Sequence, residues 1–143
     1  MQTAVEAAQR LLLRREHSVA ELRKKLCAKH YEVDEVEDAL ARMLKAGYLS
    51  DQRFSEHYTR HRASAGFGVL RIENELRERG VSETDIAHGL GLYEGDWVAN
   101  AVHVREKKFG QAKPCNFKDM AKQNNFLQYR GFQVEEIKQV IEK

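Results

Sequence analysis

The chain is poor in most of what interrupts or cross-links a fold. Its 143 residues include one proline, two cysteines and nine glycines, and only 8% are aromatic. With Pro114 alone in that role, long stretches carry no residue that breaks a helix. Cys27 and Cys115 stand 88 positions apart and form no CxxC pair, which excludes a disulfide scaffold and fits a reducing cytoplasm. Cys27 falls on an apolar helical stripe and reads as a small buried hydrophobe. No apolar run approaches the ~18–20 residues of a membrane span. The longest near the start, Leu11-Leu12-Leu13, is flanked by Arg10, Arg14 and Arg15. The first ten residues lack the basic-then-apolar order of a signal peptide, so a cytoplasmic protein with no membrane partner is expected. Strict apolar/polar alternation is missing too, which leaves strands without a signal.

What is present is ordinary globular material, 42% hydrophobic and 32% charged, enough for a real core. The net charge of +2 excludes a polycation. Charge is nonetheless uneven. Residues 1–50 hold nine basic against eight acidic side chains, residues 51–95 six against eight, and residues 96–143 nine against six. Basic ends around an acidic middle suit local contact with an acidic partner or nucleic acid, not stand-alone, tight duplex binding.

Helical spacing recurs throughout: Ala4, Ala8, Leu11 and Leu12, then Leu22 and Leu26, then Val36, Leu40, Met43 and Leu44. Ser18 to Glu21 and Ser82 to Asp85 read as capping boxes. Ser50 or Asp51 can cap the helix of Phe54 and Tyr58, and Asp96 that of Trp97. Gly47, Gly80 and Gly131 sit where left-handed residues end helices. An internal repeat emerges when His30, Gly80 and Gly131 are superposed, pivots 50 and 51 positions apart. Four residues earlier stand Leu26, Leu76 and Leu127; one later Tyr31, Val81 and Phe132; six later Val36, Ile86 and Ile137. The expected fold is all-α: three tandem three-helix units at 1–50, 51–95 and 96–143, forming an elongated, curved helical array. The third unit departs most, with Gln123 where the others have Leu22 and Ile72.

Catalytic signatures are missing. His57 and His61 stand one helical turn apart without a third ligand, so they read as a solvated or capping pair and no metal is expected. His17, just before the Ser18 cap, reads as a packing residue. Neither GxSxG nor GxxxxGK[ST] occurs, so no enzyme and no cofactor are expected. Gly66-Phe67-Gly68 opens a helix and admits either a phosphate or a tight turn with Phe67 in the core. Tyr48, Phe54 and Phe67 are all expected in the core. Asp34, Glu35, Glu37 and Asp38 occupy the first turns of a helix, where they complement its dipole.

Basic residues gather at the joint between first and second helices of each unit. They include Arg14, Arg15, Arg23, Lys24, Lys25 and Lys29 in the first, Arg60, Arg62 and Arg71 in the second, and Arg105, Lys107, Lys108 and Lys113 in the third. Such residues serve equally as phosphate contacts or as helix C-terminal dipole partners.

Several fixed spacings now combine. Arg15-Glu16-His17-Ser18 with Glu21-Leu22 and Leu26, then Gly47 to Phe54, then Arg62, Gly66-Phe67-Gly68, Arg71-Ile72, Glu75-Leu76 and Gly80 resemble the RecX family of bacterial recombination regulators. The likeness covers nearly the whole chain, is strongest over residues 11–81, and continues through Tyr129-Arg130-Gly131-Phe132. It implies a monomeric, non-enzymatic inhibitor of the RecA recombinase that lies along the groove of the RecA–DNA filament. Such a protein suppresses ATP hydrolysis, strand exchange and co-protease activity. The partner contacts are assigned to Arg15, Arg23, Lys24, Arg60, Arg62, Arg71, Lys107, Lys108 and Lys113, against filament acids or single- or double-stranded DNA. The alternative is a stand-alone helical DNA-binding protein, which the acidic third helices disfavour.

Overall fold

A computed structural model describes residues 1–142. Among them stand nine helices and no strand: α1 (Ala4–Arg14), α2 (Val19–Ala28), α3 (Val33–Lys45), α4 (Asp51–Ser64), α5 (Val69–Glu78), α6 (Glu83–Gly91), α7 (Trp97–Phe109), α8 (Phe117–Tyr129) and α9 (Val134–Ile141). None is long and apolar enough to cross a membrane.

Local chemistry sets the helix ends. Ser18 accepts from the Glu21 amide while Glu21 reaches back to the Ser18 N–H, a reciprocal box that satisfies two otherwise orphaned donors. Thr3 and Glu6 do the same for α1. Ser82 and Asp96 cap α6 and α7. At α4 the choice falls on Ser50, whose Oγ accepts from Arg53 N–H at 3.1 Å. Asp51 turns elsewhere and accepts from the Val19 amide at 2.8 Å, at the first turn of α2.

The chain divides into two compact bodies. The first comprises residues 1–57 and 76–92. Its core is Ala4, Ala7 and Ala8 of α1 against Leu22 and Leu26 of α2 and Val36, Ala39, Leu40 and Met43 of α3. Three alanines on one face let α1 approach α3 closely, and the α3 residues recur at three- and four-residue steps, as one helical face requires. The second body comprises residues 58–75 and 93–143. Its core joins Ala101 and Val104 of α7 to Leu127 of α8, Phe132, and Ile137, Val140 and Ile141 of α9.

The pivot residues share one backbone state: His30 at φ 69°, Gly80 at 78° and Gly131 at 97°, all left-handed. What each must accommodate differs. A Cβ on Gly80 would lie 2.6 Å from the Ala20 Cβ, and one on Gly131 would lie 2.3 Å from the Arg71 Cβ and 2.6 Å from its N. In both places the beginning of a middle helix rests on the end of the next one. In the first body, Ser18 Oγ at the head of α2 donates to Arg79 O at the tail of α5, 2.7 Å. In the second, Gly68 N–H at the head of α5 donates to Arg130 O at the tail of α8, 2.8 Å, and Leu70 N–H to Gly131 O, 2.9 Å. His30 is exposed, and that frees it to carry a side chain.

Several expectations are corrected. Cys27 is exposed, because it sits beside the stripe of Leu22 and Leu26 and not on it. Tyr48 is 59% exposed, since the chain turns through Gly47 and buries Leu49 in its place. Phe54 is core, but Phe67 is only half-buried and lies beneath guanidinium groups. Arg105 is buried at 3% exposure, with Nε donating to Gln123 Oε1 at 2.8 Å and a terminal nitrogen to Ala112 O at 2.7 Å. Gln123 thus departs from the Leu22/Ile72 pattern because it solvates a buried cation.

Candidate partner interface

The nine basic residues assigned from sequence fall into two groups by body. In the first body, Arg15 pairs with Glu21 at 3.3 Å and Arg23 forms a fork on Glu37 at 2.8 and 3.2 Å. The hydrogen bond from Arg23 holds the Glu37 carboxyl below its ordinary range and raises the guanidinium in turn. The Arg23–Glu37 pair is exposed and Arg15 reaches a half-buried Glu21 from the surface, so both guanidiniums are solvated and can exchange these acids for an external anion. Lys24 is exposed beside them, on a surface recess with Glu21, Lys25 and Arg79.

Behind this surface His17 is buried at 1% exposure. Its Nδ1 lies 3.0 Å from Arg15 O and its Nε2 2.8 Å from Lys25 Nζ. Only a neutral ring meets both, donating to the carbonyl and accepting from the ammonium. Burial, with Arg15 and Lys25 beside it, holds its pKa below the ordinary 6.5. Lys25 is therefore engaged internally and its own pKa is lowered, first by burial.

In the second body, Arg62 and Arg71 come together as expected, but on a shared acid. Arg62 forks on Glu75 at 2.9 and 2.9 Å, Arg71 reaches it at 3.2 Å, and Tyr58 OH donates at 2.9 Å. Burial pushes the Glu75 carboxyl up, and these hydrogen bonds outweigh it and bring it below its ordinary value. Both guanidiniums also lie over the Phe67 ring, at 3.9 and 4.5 Å from its centroid. The Gly66-Phe67-Gly68 turn does not present its amides to a phosphate, because the Gly68 and Leu70 N–H groups are taken by Arg130 and Gly131 carbonyls.

Lys107 and Lys108 extend from the last turn of α7, exposed, over a cavity of about 320 Å³ lined also by His103, Phe126 and Arg130. Arg60 and Lys113 are exposed and stand outside that lining. Arg130 is the residue that sequence reasoning left out of the site. Its signal was available: positions 29, 79 and 130, each just before a pivot, are all basic. Among the described residues no group of three or more His, Cys, Asp or Glu side chains is placed to hold a metal ion.

Comparison with known proteins agrees with this helical arrangement. Three family models match in order: the first three-helix domain of RecX over residues 4–43, the second over 50–90 and the third over 94–141. The regulatory protein RecX of Stenotrophomonas maltophilia (strain K279a) is 38% identical over 137 residues, covering 96% of this chain and 84% of that one. The regulatory protein RecX of Legionella pneumophila is 38% identical over 143 residues, covering 100% of this chain and 95% of that one. The crystal structure of RecX from Lactobacillus salivarius superposes with a TM-score of 0.80 at 20% identity, over 97% of this chain and 92% of that one, a likeness of fold. With all three of its three-helix domains matched in order, this chain belongs to the RecX family of regulatory proteins.

Proposed function

We propose that the chain is a cytoplasmic, monomeric, non-enzymatic inhibitor of the RecA recombinase. It binds along the groove of the RecA–DNA filament and suppresses ATP hydrolysis, strand exchange and co-protease activity. The observation that carries this reading is family membership across residues 4–141, with every three-helix domain present in order. In this reading the tandem units are 1–50, 51–95 and 96–143, and each brings basic side chains to the filament. Lys24, Arg60, Lys107, Lys108 and Lys113 are exposed, which supports assigning them to filament acids or DNA phosphate. Arg15 and Arg23 would exchange Glu21 and Glu37 for those partners. Arg62 and Arg71 act chiefly by fixing Phe67 and Glu75.

The physics is additive and cooperative. One exposed ion pair contributes at most about 1 kcal/mol, so no single cation secures binding. Units joined in one chain make the second and third contacts intramolecular, and overall binding can exceed that of any unit by about 10²–10⁴. A ligand that spans neighbouring protomers in one state of the filament resists the change of state that ATP turnover requires, by as much as its preference for that state.

The test is RecA's ATP hydrolysis on single-stranded DNA, titrated with this protein. Inhibition at concentrations below that of RecA is expected. The exposed pair Lys107/Lys108 changed to Ala should shift the titration to higher concentration with helical circular dichroism unchanged. Unaltered ATP turnover at equimolar protein overturns the reading.

A further inference from the structure

Within the second body, aromatic and cationic side chains alternate in an unbroken run. Starting from the Tyr129 ring, the Arg71 guanidinium lies 5.3 Å from its centroid and 4.5 Å from that of Phe67. Arg130 follows, 4.7 Å from the Phe67 centroid and 5.4 Å from that of Phe126, and Lys108 Nζ lies 5.9 Å from Phe126. At the Lys108 end the run opens on the cavity where Lys107 and Arg130 also stand, and no acidic residue lines it. At the other end the Tyr129 ring is 77% exposed.

The charges in this run are not equally committed. Arg71 shares Glu75 with Arg62. Arg130 donates only a long 3.4 Å contact to Ala65 O, so most of its five N–H donors remain available. Held between two rings, its plane is fixed before any ligand arrives, which reduces the ordering cost of binding. Lys107 and Lys108 add flexible point charges beside that fixed fork.

We propose that this alternating run binds single-stranded nucleic acid, with backbone phosphates on Lys107, Lys108 and Arg130 and a base stacked on Tyr129. Cations in series with exposed ring faces are the chemistry of single-strand binding, in which charge tracks the backbone and any base can stack. A duplex keeps its base faces paired and inside, so Tyr129 would gain nothing from it. An acidic peptide would use the cations and leave the ring idle. The inference rests on the DNA-phosphate contacts that the regulator reading gives Lys107 and Lys108, makes their ligand a single strand and adds Arg130 and Tyr129, and it is tested without RecA so that the two fail separately.

The experiment is fluorescence anisotropy of a labelled oligothymidylate with the isolated full-length protein, from low to moderate salt. Tyr129→Leu, at an exposed position, should weaken binding about tenfold with little change in salt dependence. Lys107→Ala with Lys108→Ala should weaken it and flatten the log–log salt slope by about 1.4, two phosphate contacts at ~0.7 each. Circular dichroism confirms that both variants fold. The proposal is overturned if the oligonucleotide is not bound at low salt or Tyr129→Leu binds it unchanged. It is equally overturned if a duplex or a polyglutamate peptide competes as well as the single strand. A protein that suppresses RecA yet binds no oligonucleotide removes this surface and leaves the regulator reading in place.

Discussion

Replacing Gly131 by alanine imposes two separate strains on the second body. The first is conformational: φ is 97° there, and an L-residue held left-handed loses roughly 1–2 kcal/mol. The second is steric. The new Cβ would stand 2.3 Å from the Arg71 Cβ and 2.6 Å from its backbone N, so the head of α5 must move off the tail of α8. Overpacking of that kind costs about 1–3 kcal/mol, giving about 2–5 kcal/mol together. For a chain of this length that is a fall in melting temperature of roughly 6–15 °C. Gly47→Ala isolates the first strain, because φ is 82° and nothing lies within 4 Å of its ideal Cβ; it should lose only about 1–2 kcal/mol. His30→Gly reverses the sign. It relieves the left-handed strain, which unfolded-chain entropy offsets by up to ~1 kcal/mol, so the variant is neutral or slightly more stable. Urea unfolding followed by helical circular dichroism ranks the three. If Gly131→Ala proves no worse than Gly47→Ala, the docking of one middle helix on the next is not what the glycine serves.

Two further predictions concern buried polar groups. Gln123→Leu restores the residue type that the repeat has at Leu22, yet it should destabilise by about 2–3 kcal/mol because Arg105 would lose its Nε acceptor inside the core. Adding Arg105→Leu should recover most of the loss, and a double variant as unstable as the single one refutes the pairing. His17, whose pKa lies below 6.5 in the folded protein, binds fewer protons folded than unfolded in the window beneath that value. Its contribution is therefore complete above pH 6.5 and declines as the pH falls toward the lower folded pKa. The urea midpoint should drop between pH 7 and 5.5, and His17→Asn should flatten that slope; identical slopes in the two proteins count against the neutral ring.

What could be read from the sequence was whatever is local or periodic. Ser18, Ser82 and Asp96 cap helices by reaching two or three residues along the chain, and spacing alone reveals such reach. Gly47, Gly80 and Gly131 announced left-handed turns, and Leu26, Leu76 and Leu127 the buried faces four residues before the pivots His30, Gly80 and Gly131. Partners distant in sequence left fainter traces. Phe67 reads as core by its stripe, but guanidiniums from α4, from α5 and from the residue after α8 converge on it, and no local pattern registers that convergence. Arg105 reads as another surface cation until Gln123, 18 positions away, is found to accept from it. Cys27 lies one step off the buried face of α2, an error that helical periodicity tolerates, while Tyr48 stands beyond α3, where the turn through Gly47 buries Leu49 instead.

The two docked helix ends also give a rule for counting. Glycine is compelled at a pivot where an earlier middle helix rests its head on that turn, as at Gly80 and Gly131, while the first pivot is exposed and keeps a histidine. Glycines in the pivot column therefore number the junctions, one fewer than the units. A relative with an added three-helix unit should show one more glycine in that column. One that has lost its first unit should tolerate a side chain at the pivot that then comes first.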